Sequence, residues 1–299
     1  MLSVCSFAEY KGKVEPITEE VRNEILEQVR RYNDAGMRVL GVAQKTNPAP
    51  VGLFSVALPL GLALLFRRRT GGRTRFFLLG CVVFPLFAMG LEAQGHRLLY
   101  YGVWSQALNS SIWLYALYGG LMAGIFEECG RWVAFRLGRR WTQGPGDALM
   151  YGAGHGGAES FLLLGMTMVN NVILSLTINR GGLPAVEELI GPISEAGMAA
   201  ITSLAVTPAA LYLWGAFERI TAMVVQIALS VLVYAAVTRK SGWYWFPAAI
   251  LLHAAVDVTA VAAGAFLPIP ATEALLAAWA AALALLARRV YLQEKWKKS

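Results

Sequence analysis

Three short stretches of this sequence set ionisable residues inside long apolar runs. They are Glu127-Glu128-Cys129-Gly130-Arg131, His155-Gly156-Gly157-Ala158-Glu159 and His253-Ala254-Ala255-Val256-Asp257. An ionisable side chain in hydrocarbon costs about 2.5–3.5 kcal/mol on insertion scales, so such residues are functional candidates by default. Glu127 and Arg131, His155 and Glu159, and His253 and Asp257 are each four apart, which puts each pair on one face of a helix. Two of the three histidines in the chain lie in these stretches. Two neutral imidazoles with carboxylates make a zinc-type ligand set, here His155, Glu159, His253 and Asp257. A further carboxylate, Glu127 or Glu128, could act as general base on a bound water. Arg131 would neutralise one of these adjacent acids. Glu218-Arg219 is a fourth polar pair; Glu218 is a second-rank catalytic candidate, with a helix-end ion pair as its plainer reading. A lone HxxxD or HxxxE is usually structural. Two such pairs beside a Glu-Glu favour a site.

The elements that must position these residues are membrane spans. The chain has 299 residues, 57% of them hydrophobic and only 15% charged, with a mean hydropathy of +0.51. Soluble domains average about 45–50% apolar and about 25% charged. A span needs about 20 apolar residues. Seven are expected: Val51–Phe66, Phe76–Leu91, Ser105–Val133, Asp147–Leu176, Gly215–Val237, Trp243–Ala263 and Thr272–Ala287. The fold class is therefore all-α and polytopic. Basic clusters follow every odd-numbered span, at Arg67-Arg68-Arg69, at Arg136, Arg139 and Arg140, at Arg239-Lys240, and at Arg288-Arg289 with Lys295, Lys297 and Lys298. The positive-inside rule then puts the N-terminus outside and the C-terminus in the cytoplasm. The apolar segment Glu195–Leu213 would spoil this alternation as an eighth span. It is expected to be interfacial or re-entrant, continuing into the next span from Pro208. His96, beside Arg97, is expected in an outer loop.

Depth along the spans ties the polar pairs together. At 1.5 Å per residue, Glu128 lies roughly 17 Å before Arg139, and His253 roughly 19 Å after Lys240. His155 lies roughly 12 Å beyond Asp147. The three pairs can share one layer. Glu218, roughly 31 Å from Arg239, lies near the outer face.

Residues 1–50 differ in character. Pro16-Ile17-Thr18-Glu19-Glu20 opens a helix, with Thr18 as cap and acids in the first turn. Val21, Ile25 and Val29 repeat every four residues, and Asp34-Ala35-Gly36 ends the helix. Met37–Ala43 reads as a strand, giving a small α/β soluble fragment. Acids and bases balance here, so the net charge of +7 belongs to the connections between spans. No basic face survives on a soluble domain, which excludes nucleic acid as a partner. Cys5, Cys81 and Cys129 have no CxxC spacing and read as free thiols.

Two resemblances add to this. Residues 1–56 resemble the cytosolic nucleotide-binding domain of magnesium-transporting P-type ATPases, but the DKTGT motif is absent and no ATPase activity follows. A gene fusion or misjoined frame is the simplest account. From about residue 52 onward, the combination FEECGRWVAFR, GAGHGGAES, FERITA and LLHAAVDV resembles the YhfC family of predicted intramembrane metalloproteases. That family is similar to the type II CAAX-protease and bacteriocin-processing superfamily, whose pattern is EExxxR, a helix with a His, then HxxxN or HxxxD. The resemblance implies Glu127 and Glu128 as the paired acids, His155 as the middle His, and His253 with Asp257 as the last motif. Arg131 stands three residues after Glu128, one short of the superfamily spacing, and this leaves open which Glu is the base. Glu159 has no counterpart in the minimal pattern.

The expected function is an intramembrane endopeptidase acting on a membrane-associated peptide or protein. Its water would be activated by glutamate and histidine, with or without zinc. The rivals are a cation- or proton-coupled transporter and a catalytically inactive membrane scaffold. A repeat-built transporter would show two similar halves, and none is visible.

Overall fold

In the computed structural model the described residues are 7–10, 13–16, 18–34, 48–207 and 209–296. They divide into two compact units, Met1–Ala49 with Met168–Leu211, and Pro50–Thr167 with Tyr212–Ser299.

The first unit opens with an antiparallel pair, β1 (Phe7–Tyr10) and β2 (Lys13–Pro16), with Phe7 opposite Pro16. Helix α1 (Glu19–Asp34) follows. Its cap is Thr18, whose Oγ1 accepts from the Val21 amide at 3.3 Å. Val21, Ile25 and Val29 are half-buried, whereas the neighbouring Asn23, Glu24, Leu26 and Glu27 are exposed. The expected strand at Met37–Ala43 lies outside the described residues. The unit also takes in most of α8 (Met166–Ile190) and all of α9 (Glu195–Val206). Helix α8 is broken at Gly181-Gly182, where Gly182 has φ +67°, a conformation that favours glycine. Helix α9 has 12 residues, about 18 Å, which is too short to cross about 30 Å of hydrocarbon. Its expected continuation at Pro208 lies outside the described residues.

The second unit holds the remaining helices: α2 (Pro48–Thr70), α3 (Thr74–Phe84), α4 (Ala93–Leu98), α5 (Ser105–Asn109), α6 (Ile112–Gly138), α7 (Gly146–Ser160), α10 (Ala209–Thr238), α11 (Trp245–Phe266) and α12 (Ile269–Trp296). Among the described residues, six helical segments are long and apolar enough to cross a membrane: Pro50–Thr70, Thr74–Gly102, Gly146–Ile190, Leu211–Thr238, Trp245–Phe266 and Ile269–Gln293. The remaining expected span, α6, is 27 residues long but carries Glu127, Glu128, Arg131 and Arg136.

Two expectations are corrected in this unit. The second apolar segment does not end at Leu91 in a loop. Pro85–Glu92 and Leu99–Trp104 are π-helical and, with α4 between them, carry the helix on to Asn109. His96 therefore lies within a helix. It is hydrogen-bonded to Tyr118 Oη at 2.9 Å and to Glu92 Oε1 at 3.2 Å, and these partners make a polar residue tolerable there. The expected third span, Ser105–Val133, is likewise two helices, because Ser111 is extended and α6 starts at Ile112.

Of the six apolar segments, Leu211–Thr238 has the most buried apolar stretch. Leu229, Leu232 and Tyr234 of α10 join Phe76, Phe135 and Tyr151 in the core. The Phe135 ring lies 4.8 Å from that of Tyr151 and 5.6 Å from that of Tyr234. Asp147 ties the start of α7 to α3: its carboxylate accepts from Arg73 Nη2 at 2.7 Å, the Arg73 amide at 3.0 Å and the Gln143 amide at 2.9 Å.

Close approach of α3 and α7 requires glycine. A Cβ at Gly154 would collide with the Phe77 carbonyl, and one at Gly80 with the backbone of Tyr151 and His155. The substitution Gly154→Val is expected to cost more than the roughly 1–3 kcal/mol of ordinary overpacking, because the obstacle is backbone rather than a movable side chain. Gel filtration in detergent checks this: the monodisperse peak should be lost, and a normally eluting variant would show that α3 and α7 can separate cheaply.

Candidate active site

The polar residues of α6 meet partners on three other helices. Glu127 and Glu128 are adjacent, so their side chains point about 100° apart around α6. Glu127 Oε2 lies 2.9 Å from Nε2 of His155 on α7. Glu128 Oε1 lies 2.7 Å from Nδ1 of His253 on α11. Glycines bring α11 that close: a Cβ at Gly120 would stand 2.6 Å from the Ala254 carbonyl oxygen, and one at Gly124 2.7 Å from that of Ile250. Glu128, Arg131 and His155 are fully buried, while Glu127 is 7% and His253 3% exposed.

Arg131 stands between the two acids, 3.3 Å from Glu128 Oε1 and 3.7 Å from Glu127 Oε2. Its Nη2 also donates to the Gln226 side-chain oxygen. This orients the amide of Gln226, whose Nε2 donates to Glu127 Oε2 at 3.1 Å and to Glu159 Oε2 at 2.6 Å. Glu159 in turn accepts from Arg219 Nη1 at 3.1 Å, and Arg219 Nη2 donates to Glu218. A continuous polar network thus runs from His253 through Glu128, Arg131, Gln226 and Glu159 to Arg219.

A cavity of about 260 Å³ opens on this network. Glu127, Glu159, Glu218, Arg219, Gln226, His253 and Asp257 line it, with Phe84, Leu163 and Val225 among its apolar walls. Phe84 also stands edge-on to the His155 ring, 5.2 Å away. Glu128 and His155 lie behind the cavity and do not line it.

The residues singled out from sequence all sit in this region, with pairings that helical spacing does not reveal. His155 bonds Glu127 rather than Glu159. His253 bonds Glu128, and its Nε2 is 3.8 Å from Asp257 Oδ2, beyond hydrogen-bond reach. Glu218 joins the cavity through Arg219. Gln226 escapes a search for ionisable residues. Its signal is one polar residue in the apolar run Val224-Val225-Gln226-Ile227-Ala228-Leu229.

The expected zinc ligands His155, Glu159, His253 and Asp257 are not gathered around one point. Among the described residues no three His, Cys, Asp or Glu side chains converge as metal donors do. One nitrogen of each imidazole is already bonded to a carboxylate. The Arg131 guanidinium supplies, between the two glutamates, the positive charge that a metal would bring. Glu128 Oε2 is buried without a hydrogen-bond partner, but among the described residues it belongs to no group of three donors. As arranged, the residues do not fit a metal ion.

A family model described as YhfC intramembrane metalloprotease matches residues 54–268. A second, P-type ATPase, cytoplasmic domain N, matches residues 1–53. A protein of Bacillus subtilis (strain 168) named "Uncharacterized membrane protein YhfC" is 36% identical over 214 residues, covering 70% of this chain and 81% of that protein. No solved structure matches the chain. Every residue of the network and its cavity except Leu276 falls within the first match. The chain therefore belongs to the YhfC intramembrane metalloprotease family.

Proposed function

We propose that this protein is an intramembrane endopeptidase in which Glu127, held by His155, activates water for attack on a peptide bond. The observation that carries this reading is the 2.9 Å Glu127–His155 pair on a cavity that Glu127, His253 and Asp257 line together. Of the two adjacent acids, Glu127 reaches the cavity and Glu128 does not, so Glu127 is assigned as base. Gln226 and Arg131 hold its carboxylate in place. The water proton passes to Glu127, and the resulting hydroxide adds to the scissile carbonyl. His253 lines the cavity; in its protonated form, with Nδ1 donating to Glu128, it offers its Nε2 proton as a hydrogen bond to the developing oxyanion. Glu127 then returns its proton to the leaving amine. Zinc takes no part in these steps. The α6 helix completes seven spans with the six apolar ones, with the C-terminus in the cytoplasm. Residues 1–50 are an appended soluble fragment without ATPase activity.

The test is to incubate the purified protein in liposomes with a panel of single-span peptides and read the products by mass spectrometry. New termini within or beside the apolar segment support the reading. A panel left whole by the native chain, under conditions where it remains folded, counts against it. Cleavage is expected to survive 1,10-phenanthroline within about twofold, since the Glu–His chemistry acts without a metal. Abolition by the chelator and restoration by zinc would overturn the metal-free form.

A further inference from the structure

One buried acid in the bundle has no place in this chemistry. Glu92 ends the π-helical segment Pro85–Glu92, and its side chain is only 12% exposed. It pairs with His96 one turn further on, and His96 pairs with Tyr118 of α6. The Tyr118 ring stacks on Tyr100 at 6.1 Å, and Tyr100 Oη donates to exposed Asn109 at 2.9 Å. Exposure rises along this series, from 12% at the Glu92 side chain to 33% at that of His96, and on to the open Asn109. At the other end, Glu92 lies within electrostatic reach of Glu127, Asp257 and His253. Depths agree: Tyr118 is ten residues before Glu128, about 15 Å along α6, and each four-residue step is about 6 Å. Glu92, His96 and Tyr118 therefore form a hydrogen-bonded ladder of polar groups whose inner end, Glu92, is within electrostatic reach of Asp257. The ladder leads away from the site toward the end of the bundle opposite Arg139 and Arg140.

Peptide hydrolysis consumes one water per bond, and hydrocarbon supplies none. A Glu–His pair could be only a satisfied structural contact, but such a pair does not require the continuation through Tyr118 and Tyr100 to Asn109 at the end of the helix. π-helical turns re-aim side chains and recur at functional sites. Here two of them flank His96. We infer that Glu92, His96 and Tyr118 line a water path from the Tyr100–Asn109 end of the bundle to the Glu127 cavity. The inference rests on the hydrolytic reading for its purpose, but its test does not.

The experiment uses the full chain in sealed membrane vesicles, with its native cysteines kept. Single variants Glu92→Cys, His96→Cys and Leu91→Cys are treated with a cationic methanethiosulfonate, and the labelled peptides are mapped by mass spectrometry. Leu91 adjoins Glu92 in the same segment but is exposed on the outside of the bundle. Such reagents attack the thiolate, which needs water, and the charged reagent enters lipid poorly. Positions 92 and 96 are expected to react on the order of a hundredfold faster than position 91, from the cost of carrying a charge into hydrocarbon. The faster reaction should come from the face opposite the Arg139–Arg140 cluster. Equal rates at all three positions, fast or slow, overturn the path, and so does labelling only from the arginine face. If Glu92→Cys does not fold, His96→Cys against Leu91→Cys decides alone. No peptide substrate is involved, so a failed peptidase assay and a failed labelling pattern are separate results.

Discussion

Exchanging Glu127 for glutamine is expected to lower the rate of peptide cleavage about 10²–10⁴-fold, the usual contribution of a positioned general base. Glutamine has nearly the same shape, so the cavity stays intact and the neighbours keep their places. What changes is basicity: an amide cannot take the water proton. The amide oxygen can still accept from His155 Nε2 and from Gln226, which are 2.9 Å and 3.1 Å from Glu127 Oε2. The melting temperature in detergent should therefore move little, and the loss should fall on kcat. Glu128→Gln is the informative contrast. Glu128 is fully buried and bonds His253, so its loss should disturb the ring that faces the oxyanion while leaving the base in place. Full activity in Glu127→Gln would falsify the assignment of the base, and full activity in both would remove the glutamate pair from the chemistry.

Arg131→Met is expected to destabilise the protein by about 3–5 kcal/mol, as removal of one partner from a buried ion pair does. The Arg131 side chain is fully buried, and its guanidinium lies within 4 Å of both Glu127 and Glu128. Methionine fills much of the volume, so the effect is electrostatic rather than a cavity. It also frees the Gln226 amide that Arg131 orients. Thermal unfolding in detergent reads the change. Combining Arg131→Met with Glu128→Gln removes the unpaired charge together with the cation, so the double variant should recover part of the loss. A double-mutant cycle measures that coupling. Additive losses would mean that Arg131 does not stabilise the acid pair.

Much of the site was legible before any fold. Glu127, Glu128, His155 and His253 stand out because charge is rare in apolar runs, and counting residues from the basic clusters placed them at matching depth. Their partners were not legible. Helical spacing links His155 with Glu159 and His253 with Asp257, yet both imidazoles bond glutamates of α6 instead. Rotation of each helix about its axis decides this, and rotation depends on packing at Gly120, Gly124 and Gly154. Gln226 was invisible to a search for charge, although it is the hinge of the network. His96 was misplaced because an Ala-Gln-Gly-His-Arg stretch reads as a connection. Two π-helical turns and the partners Glu92 and Tyr118 keep it helical.

Composition and periodicity alone determined that this is a helical membrane protein with acids and imidazoles in one layer. Those properties are sums over residues, and each costly residue announces itself wherever the chain goes. Only the tertiary structure decided which acid meets which imidazole, which of the two glutamates reaches the cavity, and that an arginine rather than a converging ligand set stands between them. Such choices turn on ångström-scale approach between helices distant in sequence, and no local pattern encodes that distance.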